Sequence, residues 1–402
     1  MQTARKNRFR TLLGRGLWFL GTAVAAAAAE VSLADRIARL EEQLARIEAR
    51  LESPATPADL VPAVKEYREL TQQLGWDGKS ALTVVKAAGK EQKLSLGGYA
   101  QIQGEFGDSP DARFNGIGDR FQLRRMRVTL KGSFRENFDF TLQPEFGNNA
   151  IAGVNGYRAQ FADATIAWTR YPACNVQIGQ FKTPFGYEQL LPDTRIFTVE
   201  RSLPNDQLAV GRQIGIGLSG TLPRNSFGYS VGVFNGNGVN NGANDNDQFM
   251  FAGRLAATVW SRDADRLALG VNGFTSRDTG ALVGRLTGTG VDLQATLGRF
   301  DTQIELLRVH SDRVAGADTT ADGGSALVGW YFVPKSIQAI VRYERFRADT
   351  AAADATSAGW VFGVNWYVKG DDIKLTFNYH LGDPAGPLSI QGRFFSRVQV
   401  AF

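Results

Sequence analysis

The sequence predicts an all-β fold, a 16-stranded antiparallel transmembrane β-barrel over residues 94–402, preceded by a short N-terminal coiled-coil helix. Three observations predict it. Sixteen runs alternate apolar and polar residues, the period of a strand with one apolar face. The connections between these runs alternate short and long along the whole body. Beyond residue 29 no run of about 18 apolar residues offers a spanning helix, so strands are the remaining way across a bilayer.

Composition narrows the classes. Of 402 residues, 43% are hydrophobic and 21% charged, which excludes wholesale disorder. The 45 glycines and 26 phenylalanines suit a turn-rich β protein. Cys174 is the one cysteine, so neither an internal disulfide nor a cysteine zinc cluster can form. His310 and His380, the two histidines, stand in distant runs and support no nucleophile–His–acid catalysis. The net charge of +5 comes from Arg5, Lys6, Arg8, Arg10 and Arg15; without them 40 basic residues face 40 acidic ones. The remainder is near neutral, so charge alone implies no anionic partner, and no nucleic-acid motif is present. No cofactor or metal is expected.

Residues 1–29 read as a secretory signal: a basic start, an apolar run over 16–28, and Ala27, Ala28 and Ala29 before Glu30. Residues 30–53 carry Leu33, Ile37, Leu40, Leu44, Ile47 and Leu51 at heptad spacing, the seam of an oligomerising coiled coil on the periplasmic side. Mixed Ile and Leu leave the number of helices open. Pro54, Pro57 and Pro62 end that helix, and 54–93 is a linker with a short helix over 63–74.

The strands are expected near 94–106, 121–134, 137–146, 159–170, 174–181, 212–222, 226–235, 249–260, 265–275, 288–298, 300–310, 324–333, 336–347, 357–369, 371–381 and 390–402. In the penultimate run Ile373, Leu375, Phe377, Tyr379 and Leu381 share one face, and Lys374, Thr376, Asn378 and His380 the other. The chain ends on Phe402, in the manner of barrels delivered to the outer-membrane assembly machinery.

The third long connection, 182–211, stands apart. A hairpin needs about 2–5 residues. This one carries Phe185, Tyr187, Leu190, Leu191, Ile196, Phe197, Val199, Leu203 and Leu208, too apolar for solvent. It is expected to fold into the lumen and narrow it, with Lys182, Arg195, Arg201 and Arg212 at the neck. In FQLRRMRVTLKG, Met126, Val128 and Leu130 face lipid, so Arg125, Arg127 and Lys131 face inward. An outward arginine at the midplane would cost ~2–4 kcal/mol. Glu188, Asp193 and Glu200 lie in the same loop and oppose the basic residues.

LSLGGYAQIQGEF, FQLRRMRVTLKGSF, FADATIAW, GQFKTPFG and VERSLPNDQLAVGRQIGIGLSG resemble the phosphate-selective porin O and P family. The resemblance implies a sixteen-stranded trimeric barrel in a bacterial outer membrane. It implies a constricting third loop, and passive diffusion of phosphate or related small anions past lumen arginines and lysines. Two alternatives stay open: a general mixed-charge porin, and a non-conducting structural or adhesion barrel.

Overall fold

The computed structural model describes residues 93–402, except 136, 149–158, 223–225, 245, 278–282, 353–354 and 384–389, together with Glu42 and the two-residue strand Leu82–Thr83. The segments read as signal (1–29), heptad helix (30–53, Glu42 apart) and most of the linker (54–93) lie outside the described residues.

Sixteen strands follow in order: β1 (Lys93–Gly107), β2 (Arg120–Phe134), β3 (Phe138–Glu145), β4 (Gln160–Tyr171), β5 (Cys174–Lys182), β6 (Arg212–Thr221), β7 (Phe227–Phe234) and β8 (Met250–Arg262). Then come β9 (Asp265–Ser276), β10 (Val283–Leu297), β11 (Phe300–Arg313), β12 (Thr319–Val333), β13 (Ile337–Arg347), β14 (Thr356–Lys369), β15 (Ile373–Asp383) and β16 (Gln391–Ala401). Each pairs antiparallel with its chain neighbour. The last meets the first, from Arg393 against Gly107 to Ala401 against Tyr99. Among the described residues no edge of the barrel is left unpaired, which is what a bilayer interior requires. Leu82–Thr83 adds two pairs, to Leu96 and Ser95 of β1.

The expected dyad holds. Ile373, Phe377 and Tyr379 are exposed on the outer face, while Lys374, Thr376, Asn378 and His380 are buried inside. Tight turns at one rim use left-handed backbone at Arg135, Asp263, Lys335, Gly298 and Gly370. Aromatic pairs mark that rim outside: Phe134 with Phe138, Trp168 with Tyr171, and Trp330 with Phe332. Tyr343 with Trp360 and Phe106 with Phe121 stand nearer the opposite rim.

Three boundaries differ from expectation by three or more residues. β10 starts at Val283, β11 runs to Arg313, and β12 starts at Thr319. The loops expected over 276–287 and 311–323 shrink accordingly. Pairs such as Leu286 with Ser311 and Ser311 with Thr319 carry these ladders past the apolar band. There the outer face meets water, so the apolar alternation that marks a strand is missing.

The third connection enters the barrel. Phe185, Ile196, Val199, Leu203 and Leu208 are buried. Phe185 and Leu208 join inward apolar residues near the open rim: Phe234, Met250, Phe274, Leu307 and Val309. Glycine makes room on that wall, because a Cβ at Gly215 would meet the Phe234 ring at 2.7 Å and one at Gly217 the Phe181 ring at 3.0 Å. The first connection also folds inward. Its short 3-10 turn, Ala112–Phe114, places Phe114 against Phe395 and Val199.

Barrel closure can be tested directly. In a Cys174→Ser background, Ile102→Cys with Val398→Cys, which face each other across β1 and β16, is expected to form a disulfide in the folded protein. Mass spectrometry of the oxidised protein reads it, and absence of the link would mean that the two strands are not neighbours.

Candidate functional site

The inward loop crosses from an apolar anchor to a basic wall. Two short helices shape it, α1 (Tyr187–Leu190) and α2 (Leu203–Leu208), the second capped by the Ser202 hydroxyl with Pro204 in its first turn. Between them residues 191–202 run through turns and bends with no regular element, so most of their backbone polar groups need partners elsewhere. The wall supplies them. Lys374 Nζ donates to the carbonyls of Thr194 (2.7 Å) and Ile196 (3.2 Å). Asn365 donates to the Phe197 carbonyl at 2.8 Å, and Asn378 accepts from the Val199 amide at 2.6 Å.

Two carboxylates of the loop lie among arginines. Asp193 meets Arg127 at 2.6 Å, Arg201 at 2.7 Å and Arg125 at 3.6 Å, and accepts from the Tyr99 hydroxyl at 3.2 Å. Glu200 accepts both arms of Arg124, at 2.8 and 2.9 Å, with Arg397 at 3.2 Å. Burial alone would push both carboxyls up. The guanidinium charges outweigh it and hold each well below the usual carboxylate range: Arg125, Arg127 and Arg201 around Asp193, Arg124 and Arg397 around Glu200. A third carboxylate, Glu188, takes the Ser202 amide and hydroxyl at 2.9 and 2.7 Å and faces Arg342 at 3.3 Å.

The sequence-derived basic residues divide by place. Arg125, Arg127 and Arg201 converge on Asp193. Lys182, the last residue of β5, donates to the Leu191 carbonyl at 2.6 Å, which Arg201 also reaches at 3.1 Å. Those four form one cluster. Arg212, opposite Lys182 across the β5–β6 ladder, pairs with Asp163 at 2.9 Å rather than with Asp193. Arg195 and Lys131 are exposed, one on the loop between the two carbonyls that Lys374 holds, the other near the short-turn end of β2.

Arg124 is a member that the alternation missed. Strict parity puts it in phase with Met126, facing lipid. A β-bulge intervenes: Gln101 pairs with Arg125 and Ile102 with Leu123, so Arg124 is the extra residue and turns inward. The consecutive Arg124 and Arg125 were the signal, since a flat strand would leave one in lipid at ~2–4 kcal/mol. Arg397 and Gln103, inward on β16 and β1, complete the Glu200 site.

A closed antiparallel barrel with short turns at one rim, aromatic residues outside and a long connection narrowing the lumen is a porin of the bacterial outer membrane. The comparisons specify the family. The family model described as "Phosphate-selective porin O and P" matches residues 96–288 and 270–383, and the chain belongs to that family. Porin O of Pseudomonas aeruginosa is 23% identical over 373 residues, covering 73% of this chain and 84% of that protein. Among solved structures, the anion-selective porin from Comamonas acidovorans aligns with a TM-score of 0.55 at 14% identity, over 78% of this chain and all of that one. OmpT of Vibrio cholerae aligns with a TM-score of 0.56 at 12% identity, over 80% of this chain and all of that one.

Asp193→Asn would leave three arginines around a neutral group. Breaking a buried pair costs about 3–5 kcal/mol, so the loop is expected to undock and become sensitive to protease while the barrel stays folded. A carboxyl held low contributes its stability above the unfolded value near ~4 and loses it only as pH falls through the lower folded value. Wild-type loop protection is therefore expected to stay constant from neutral pH to about 5. Protection that fades between those values would contradict the buried ion cluster.

Proposed function

We propose that this porin passes small anions in preference to cations, phosphate and related oxyanions among them. The supporting observation is a charge excess. Immediately around Asp193 and Glu200, Arg124, Arg125, Arg127, Arg201 and Arg397 face Glu145, Asp193 and Glu200. Five guanidinium groups against three carboxylates leave two positive charges beside a narrow, low-dielectric passage. A single-sign field there raises the local concentration of anions and repels cations.

The buried arginines act through this field rather than by contact. Contact falls to the exposed Arg195 and Lys131, whose donors replace part of an anion's hydration. Exposed groups bind weakly, so an ion that enters can leave. The mixed-charge alternative needs the loop carboxylates free to attract cations. Both Asp193 and Glu200 are enclosed by guanidinium groups, which favours the anion reading.

The same proposal extends to assembly. Copies join as a homo-oligomer, a trimer, through the heptad of residues 33–51 on the periplasmic side. Ile37→Asp with Leu44→Asp is expected to weaken the oligomer in detergent without changing the barrel. An oligomer of unchanged size and stability by light scattering would count against the seam.

Selectivity is read from reversal potentials in a potassium chloride gradient across a planar bilayer. The wild type is expected to prefer chloride, and added phosphate to reduce the chloride current. Lys182→Gln with Arg195→Gln is expected to lower the anion preference, at about 1 kcal/mol or roughly fivefold per charge in a partly aqueous passage. A cation-preferring wild type, or a double variant with an unmoved potential, would sink the proposal. A barrel that carries no current would favour the structural role.

A further inference from the structure

The outer surface of a barrel should be apolar across the bilayer core, and on β11–β13 it is, up to one level. There Arg308, Asp322 and Arg347 stand in one row on three adjacent strands, with Arg308 opposite Asp322 and Asp322 opposite Arg347. Arg345 stands one row nearer the membrane, opposite Gly324. All four alternate with buried inward neighbours such as Leu307, Arg342 and Glu344, and so point outward. Eight to eleven residues separate them from the short-turn ends of their strands at Phe300, Val333 and Ile337. About 9–11 residues cross the apolar core. The row therefore lies at the headgroups of the outer leaflet, where an outward arginine costs only ~0–1 kcal/mol.

One of the three cations is spent locally, because Arg347 binds Asp322 at 2.7 Å. Arg308 and Arg345 flank that pair, are exposed, and make no side-chain ion pair among the described residues. The row above is mixed in charge, with His310 against Asp312 at 3.0 Å.

A groove of about 540 Å³ opens beneath the arginines, lined by Val291, Ile304, Leu306, Ala326 and Tyr343. It exists because Ala326 presents almost no side chain beside Tyr343, while Leu306 folds down over Gly324. A Cβ on Gly324 would meet Leu306 at 2.4 Å. Cations above an apolar groove at the headgroup level match one kind of ligand, an amphiphile with an anionic head.

We propose that this face binds a phosphate-bearing lipid of the outer leaflet. The phosphate sits between Arg308 and Arg345, and an acyl chain lies in the groove over Leu306 and Ala326. Guanidinium suits phosphate by forked donation, and the groove gives the chain a fixed seat that a smooth wall lacks.

The test uses the full-length protein purified in detergent and native mass spectrometry with bisphosphorylated lipid A. The wild type is expected to bind it, and the dephosphorylated lipid at least roughly tenfold more weakly, the size of one hydrogen bond to a charged group. Arg308→Gln with Arg345→Gln is expected to lose a similar factor. Ala326→Trp, which fills the groove and keeps the arginines, is expected to weaken binding too, and carries the test if the double variant fails to fold. Folding is checked by heat-modifiable migration in gels. Equal binding of the dephosphorylated lipid, or unchanged binding by the folded variants, overturns the proposal. Full competition by millimolar inorganic phosphate would mean a free-phosphate site and overturn the lipid assignment. Loss of the oligomer with lipid binding intact would make this face an interface between copies, which also overturns it.

Discussion

The carboxylate of Asp193 among Arg125, Arg127 and Arg201 is the contact on which the interior depends. Two guanidinium groups on the wall and a third brought by the loop would repel each other and stay hydrated. One carboxylate delivered by the loop lets them converge, and Glu200 does the same for Arg124 and Arg397. Buried ion pairs are weak evidence for stability, because desolvation offsets their attraction. Their stronger effect here is on position. A loop of this length has many ways to collapse into a lumen, and few of them place two carboxylates on two arginine sets at once.

The opposite anchor works by a different force. Phe185 and Leu208 enter an apolar patch made by Phe234, Met250, Phe274, Leu307 and Val309. Each buried side chain of that size contributes about 1.5–3 kcal/mol without directional demand. Apolar burial therefore brings the loop inside, and the ion pairs decide where it rests. That division leaves the passage with a basic flank. The two carboxylates of the loop offset only part of the arginine charge around them, and a surplus of arginine remains.

The two faces of β11–β13 carry charge for separate reasons. Inside, Arg342 and Glu344 belong to the loop's docking site. Outside, Arg308 and Arg345 stand where apolar residues give way to headgroups. The same alternation of the strand serves both, since successive side chains point to opposite solvents.

Sequence by itself determined the strand number, the order of short and long connections, and the outward or inward face of nearly every strand residue. It could do so because lipid on one side and water on the other impose a period of two that is visible in the chain. It also placed the third loop in the lumen, since its phenylalanines and leucines had no other apolar refuge. The tertiary structure decided what alternation cannot encode. The bulge that turns Arg124 inward depends on how β1 and β2 register. The inward apolar patch breaks the period locally, as at Leu306 and Leu307, and only the loop packed on it explains why. The basic residues read as a group around the neck separate into a cluster at Asp193, an adjoining pair at Arg212 and Asp163, and the exposed Arg195 and Lys131. Partners from strands at opposite ends of the chain make those choices, and no local pattern records which strands will meet.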